Sequence, residues 1–366
     1  MTATGGYLLS SAHAHVGLYA GRAIASLSSQ SRRRNMANRP VTIFHLEIPL
    51  RTPFSTAGGT VMSRSIALVR LGDDPFGWGE AAPFPGQDEH MAEVLHAARS
   101  GVSTPTLKAA LDEAGADLQA RIAGDSLARQ AGATSDTIPS SLAVGLEDPV
   151  AVVQRAVAGG ISRFKLKIAP GHLGHVREIR QSHPDVVIGL DANGSFDFDV
   201  AAELQVVANL DIAYLEQPVA TLDSDAAKAA RDWIGAPVFA DESVRSMADA
   251  ERILRFDHVD GVVIKPGRLG WSGALAVRSL AGAAGKLWRA SGLLETGIGR
   301  SYTAILGACP DAFVSDVAPA EWFLERDVTG SRFEAGWVSV PQGPGLGVAP
   351  DLDLLAAYLI ERIDLR

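Results

Sequence analysis

Sulfur chemistry is nearly missing from this 366-residue chain, which holds a single cysteine, Cys309. One cysteine forms no intramolecular disulfide and builds no cysteine-rich zinc site, and such usage suits a reducing cytoplasm. Long apolar runs are missing too: no stretch reaches the roughly 18 residues that a membrane-spanning helix requires. A basic surplus is also lacking. Thirty-three Lys and Arg face 42 Asp and Glu, a formal net charge of −9, which argues against a nucleic-acid-binding face. What is present is apolar. Hydrophobic residues make up 47% of the chain and charged residues 20%, enough for a large core. The length accommodates a barrel of about 250 residues plus a smaller second domain.

Residues 1–39 differ from the rest. They contain no Asp or Glu and carry the basic cluster Arg32-Arg33-Arg34. The composition resembles a transit peptide, but no cleavage-like site follows a proper apolar stretch. An over-long start, with Met36 as the initiator, is the preferred reading, and the segment is set aside as an extension outside the fold.

From residue 40 the pattern turns strand-like. Val41–Leu50 and Ser65–Leu71 are rich in β-branched and apolar residues and end at Pro and Gly-Asp-Asp punctuation, which predicts a hairpin or meander. Residues 89–131 follow with apolar positions at helical spacing, such as Leu107, Ala110, Leu111, Ala114 and Leu118. Strands followed by helices describe a compact α+β capping domain over 40–136, to which the tail 337–366 is expected to return. After Pro139 short apolar runs recur: Leu142–Val144, Phe164–Ile168, Val186–Leu190, Ile212–Leu215, Pro237–Ala240, Gly261–Ile264, Leu287–Ala290 and Ala312–Val314. Ala-rich helical segments separate them. The expected fold is therefore α/β, a (β/α)8-type barrel over 137–336 with the α+β cap. An open doubly wound sheet is the alternative, and the eight countable units favour the barrel.

A barrel places its chemistry at the C-terminal ends of its strands, and polar residues stand there. Lys165 and Lys167 share one face of the second strand. Asp191-x-Asn193 ends the third, Glu216 the fourth, Asp241-Glu242 the fifth and Lys265 the sixth. Asp191, Glu216 and Asp241 are spaced 25 residues apart, one βα unit each, which predicts three carboxylates side by side at one height. Such carboxylates repel unless a cation joins them. All-oxygen ligation suits Mg2+, or Mn2+, and no His stands ready to favour zinc. Lys167 and Lys265 would flank that ion, and a like-charged neighbour would lower one lysine of the Lys165/Lys167 pair toward a neutral base. Removing a proton α to a carboxylate leaves an enediolate whose two charged oxygens need such a cation. The expected partner is a small carboxylate substrate, with no nucleic acid or membrane and with self-association left open.

The set Lys165-x-Lys167, Asp191-x-Asn193, Glu216-Gln217-Pro218, Asp241-Glu242-Ser243 and Lys265-Pro266-Gly267 resembles the muconate-lactonizing subgroup of the enolase superfamily over roughly residues 41–360. Phe164–Gly171, Ile264–Gly270, Leu294–Arg300 and Gly343–Pro350 are similar to its o-succinylbenzoate synthase / N-succinylamino acid racemase branch. The resemblance implies metal ligands Asp191, Glu216 and Asp241, with Lys167 and Lys265 as the acid/base pair. It implies dehydration to o-succinylbenzoate in menaquinone biosynthesis, or racemisation of N-acylamino acids, or both. Dehydration would use Lys167 as base and Lys265 as a stabilising cation; racemisation would alternate the two. Arg268 resembles the arginine of racemising members. Lys165, Asn193, Glu242, Arg268 and Glu295 are expected to support the ligands or the substrate.

The remaining motifs are weaker. Gly343-Pro-Gly-Leu-Gly347 lacks the Lys-Ser/Thr of a phosphate loop and is read as a turn. His13-x-His15 and His172-x-x-His175 are read as solvated, and Cys309 as buried packing.

Overall fold

The computed structural model describes residues 39–56, 59–197, 201–330, 333–334 and 336–365. The readings made for the N-terminal extension, including Met36 and His13-x-His15, lie outside these residues. Pro40–Leu365 form one compact unit.

Strands β1 (Val41–Thr56) and β2 (Gly59–Leu71) form a long antiparallel hairpin. Leu46 and Ile48 of β1 and Ile66 and Leu68 of β2 are fully buried; alternate residues of each strand supply them to one face. Strand β3 (Gly77–Ala81) extends the sheet beyond β2. Helix α1 (Met91–Arg99) and helix α2 (Pro105–Ile122) follow. Pro105 opens α2 and the Thr104 hydroxyl accepts from the Leu107 amide, a preorganised start. Gly77 and Gly79 let α2 lie directly on β3, because a Cβ at either position would overlap the backbone at Ala114 or Ala110. The short helix α3 (Leu127–Ala131) ends at Gly132 in the left-handed conformation.

A small antiparallel sheet follows, in which β4 (Thr137–Pro139) pairs with a strand near the end of the chain. Seven parallel strands come next: β5 (Ser141–Val144), β6 (Arg163–Lys167), β7 (Val187–Asp191), β8 (Ile212–Glu216), β9 (Val238–Ala240), β10 (Gly261–Ile264) and β11 (Leu287–Ala290), in spatial order. Helices α4 (Pro149–Ala158), α5 (Gly174–Ser182), α6 (Asp225–Ile234), α7 (Met247–Ile253), α8 (Pro266–Ala283) and α9 (Gly297–Gly307) alternate with them, with a 3-10 turn between β7 and β8. The expected eighth strand, Ala312–Val314, is not a regular strand. Its position is taken by residues 313–317. The amides of Phe313 and Asp316 donate to the carbonyls of Trp288 (2.9 Å) and Ala290 (2.8 Å), and the Ser141 amide donates to Val317 (2.9 Å). Backbone hydrogen bonds thus close the ring from β11 to β5 through an irregular segment.

Tyr214, Phe239 and Val263 pack inside the ring with Phe313. The Tyr214 and Phe239 rings meet edge to face at 5.9 Å, a favoured aromatic geometry. Strand β12 (Phe333–Glu334) pairs with β13 (Trp337–Ser339), the partner of β4. Helix α10 (Leu352–Tyr358) leads into β14 (Leu359–Leu365), which pairs with β1 at the edge of the first sheet. No helix among the described residues is long and apolar enough to cross a membrane.

Candidate active site

Asp191 and Glu216 end β7 and β8 and face each other in register, with Lys167 of β6 opposite Asp191. Asp241 is two residues past Phe239, the ladder partner of Glu216. Strand tilt in a closed barrel staggers neighbouring strands, and ligand oxygens of all three still lie within 4.8 Å of one another. All three residues are at most 1% exposed.

Gln217, in the left-handed conformation at φ 39°, turns back over this site. Its Oε1 accepts from the Asp241 amide at 3.0 Å, and its Nε2 donates to the Val219 carbonyl and the Ser243 hydroxyl. The Asp241 backbone is thereby held from its neighbouring strand.

Three ammonium groups lie on these carboxylates. Lys165 Nζ is 2.8 Å from Glu216 and 3.1 Å from Asp191, and 2.8 Å from Asp316. Lys167 Nζ donates to Asp191 Oδ2 at 2.6 Å and to Asn193 Oδ1 at 2.8 Å. Lys265 Nζ donates to Asp241 Oδ2 at 2.5 Å. Strands β6 and β10 stand on either side of β7, β8 and β9, so Lys167 and Lys265 approach the carboxylates from opposite sides. Asn193 Nδ2 donates to Glu242 at 2.8 Å, which ties the ends of β7 and β9 together.

The electrostatics follow from burial. Desolvation alone would raise all three acids. Lys167 and Lys165 overcome it at Asp191, and Lys265 and Arg268 at Asp241, holding both below the usual carboxylate range. Glu216 goes the other way, pushed up to about 8 by burial and by the Asp191 and Asp241 charges against Lys165 and Arg289. An all-oxygen set this tight fits a hard divalent ion. Lys165 is not the lowered member that repulsion within the pair was expected to give. Burial lowers it, but Asp316, Glu216 and Asp191 outweigh that and hold it well above the ordinary lysine range.

The pattern missed a second layer. Arg289 of β11 is fully buried and donates to Glu216, to Tyr214 Oη at 2.6 Å and to Asp316 Oδ1 at 2.5 Å. It also lies 3.8 Å over the Tyr214 ring. Asp316, on the segment that closes the ring, holds both Lys165 and Arg289. A single arginine inside the apolar run Leu287-Trp-Arg-Ala290 was the available signal, since a charge in a core strand demands a buried partner.

The first sheet reaches the site through the loop after β3. Gln87 Nε2 donates to Glu242 at 3.2 Å, Arg268 donates to Gln87 Oε1 at 3.3 Å, and Asp88 lies 3.3 Å from Arg268. Arg268 also touches Asp241 at 3.4 Å. Phe54, Phe84 and Gln87 join Lys165, Lys167, Asn193, Asp241 and Lys265 around one cavity, about 590 Å³ with its open mouth included. Glu295 is not among the residues lining it. Its carboxylate is buried, accepts no hydrogen bond among the described residues, and acts electrostatically on Arg64 and Glu80 of the first sheet. Cys309 is buried, its thiol pushed up to about 11 by desolvation.

Residues 148–354 match the family described as enolase C-terminal domain-like. The o-succinylbenzoate synthase of Geobacillus kaustophilus is 29% identical over 356 residues, covering 87% of this chain and 95% of that one. The N-succinylamino acid racemase of Thermus thermophilus is 31% identical over 341 residues, covering 83% and 92%. A dipeptide epimerase from Enterococcus faecalis, solved with Mg and the dipeptide L-Leu-L-Tyr, superposes with a TM-score of 0.78 at 25% identity, covering 85% of this chain and 99% of that one. The chain belongs to the enolase superfamily, whose members bind a divalent metal, and to a subgroup of lyases and racemases.

Proposed function

We propose that this enolase-superfamily enzyme is an o-succinylbenzoate synthase, acting by proton abstraction α to a substrate carboxylate. The observation that carries the reading is the entry of Lys167 and Lys265 into one cavity from opposite sides of a buried three-carboxylate set. Asp191, Glu216 and Asp241 would hold Mg2+, or Mn2+. When bound, the cation supplies positive charge to the substrate carboxylate as the α-proton leaves.

The chain's own groups do the rest. Lys167 Nζ takes the α-proton; Asn193 Oδ1 and Asp191 orient it through two hydrogen bonds. Lys265, on the opposite side, faces the developing negative charge as a cation. Lys167 then returns that proton to the hydroxyl group on the neighbouring carbon, the C–O bond breaks, water departs, and the ring becomes aromatic. Lys165, locked among three carboxylates, stays charged and fixes Glu216 and Asp191. The loop carrying Phe84 and Gln87 lines the cavity and would limit water at the reacting carbon. Menaquinone biosynthesis is the pathway that such a product serves.

Arg268 favours a second reading, racemisation of N-succinylamino acids at the same site. It shares Asp241 with Lys265, and a base on each side of the α-carbon suits proton return on either face. The test is an assay of pure, Mg-loaded protein with the hydrated precursor of o-succinylbenzoate and with N-succinylamino acids. Dehydration far exceeding racemisation is expected. The reverse order would replace the lyase reading by the racemase, and neither activity would sink both.

A further inference from the structure

The cavity wall carries one cation that the chemistry above does not use. Arg300 of α9 lines the cavity with Phe323, Ala318 and Leu294 and is 6% exposed. Its Nη1 donates to the Ala318 carbonyl at 2.7 Å and its Nη2 to the Glu295 carbonyl at 3.4 Å. Its Nε is buried with no partner. No ion pair of Arg300 exists among the described residues. Asp327 lies within electrostatic reach, but that carboxylate is taken by the amides of Gly297 and Val328 and by the Thr329 hydroxyl.

The other cations of this wall are all matched. Lys165, Lys167 and Lys265 each lie on a carboxylate. The hydrogen-bond partners of Arg300 are neutral carbonyls, and a buried cation with no carboxylate in contact is costly. Such a group is ready for an anion from outside, and the guanidinium fork suits a carboxylate. The Arg300 guanidinium lies over the Phe323 ring at 5.6 Å, and Phe323 in turn meets Phe54 of the β1–β2 hairpin edge to face at 5.8 Å. An apolar stretch therefore leads to Arg300, on residues separate from the three-carboxylate set.

We propose that Arg300 binds a second carboxylate of the substrate, at the far end of an acyl arm that crosses the Phe54–Phe323 surface. The site then selects dicarboxylates: one acid group at the reacting carbon, the other at Arg300. This deepens the proposed function and rests on it, because a succinyl arm ends in such a group.

Calorimetry on the Mg-loaded full chain tests the assignment with two ligands, o-succinylbenzoate and 2-butyrylbenzoate. They share the ring carboxylate and differ only in the terminal one. The wild type is expected to bind the succinyl compound at least tenfold more tightly. Arg300→Met is expected to erase that preference while binding the butyryl compound within threefold of wild type, and Arg300→Lys to restore part of it. Circular dichroism and thermal melting establish that each variant is folded. Equal wild-type affinity for both ligands overturns the proposal without any variant, which covers the case of a variant that does not fold. A preference that survives Arg300→Met overturns it as well while leaving the proposed function intact. Wild-type failure to bind either ligand overturns the functional reading on which the assignment rests.

Discussion

Replacing Lys167 by Ala separates proton chemistry from cation binding. Lys167 is one of two ammonium groups on Asp191: its Nζ lies 2.6 Å from Oδ2, and Lys165 Nζ lies 3.1 Å from the same oxygen. Truncation thus leaves Asp191 paired, so the fold should survive, unlike the case of a buried charge stripped of its last partner. General-base catalysis contributes roughly 10²–10⁴-fold, or about 2.7–5.4 kcal/mol at 1.36 kcal/mol per tenfold. The variant should lose at least about 10²-fold in kcat, in proportion to that range. Mg2+ affinity should be unchanged or higher, because a positive charge has been removed beside a ligand oxygen. Turnover and the exchange of the substrate α-proton with D2O, followed by proton NMR, give the first quantity; titration calorimetry gives the second. A loss under tenfold would show that Lys167 is not the base. Loss of Mg2+ binding together with activity would show that the lysine only maintains the carboxylate set.

Three further outcomes follow from the same geometry. Saturating Mg2+ should raise the melting temperature and EDTA should reverse the change, since a ligand at a hundredfold over its Kd adds about 2.7 kcal/mol; Asp241→Asn should abolish the shift, and a shift that persists would place the ion elsewhere. Arg289→Met should destabilise by about 1–3 kcal/mol in urea unfolding, because Glu216 and Asp316 each lose one buried partner and keep only Lys165 as a cation; a change under about 0.5 kcal/mol would contradict its assigned role. Glu80 is pushed up to about 8 from an ordinary 4.5 by burial and the neighbouring Glu295, against hydrogen bonds from Thr296 and Gly299. A folded pKa above the unfolded one means that the native state holds the extra proton. Its contribution to stability is therefore present below about 4.5 and is lost as pH rises through about 8. Glu80→Gln should flatten the fall in unfolding free energy between pH 5 and 8.5, and an unchanged slope would refute the shift.

Much of this arrangement is legible in the sequence itself. Strand runs at a steady interval, each followed by a helical segment, specify a parallel ring because consecutive βα units wind in one hand. Residues i and i+2 of a strand share a face, so Lys165 and Lys167 had to point into the same space. The 25-residue steps from Asp191 to Glu216 to Asp241 put three acids on neighbouring strands. All of these are local periodicities, and local periodicity survives in a linear text.

Tertiary structure decided what joins distant parts of the chain. Only the closed, tilted ring shows that Asp241 sits two residues past the register of Glu216 and still reaches it. The eighth position is filled by an irregular segment whose amides find β11, a fit set by ring closure rather than by strand propensity. Arg289 and Asp316 met across 27 residues, and Gln87 met Glu242 across 155. Partnerships like these form because a buried charge or polar group must be satisfied by whatever group the packed core brings near it. No spacing rule encodes that choice, so the catalytic residue types were readable in sequence while their counter-charges, the covering loop and the solitary Arg300 emerged only from the packed chain.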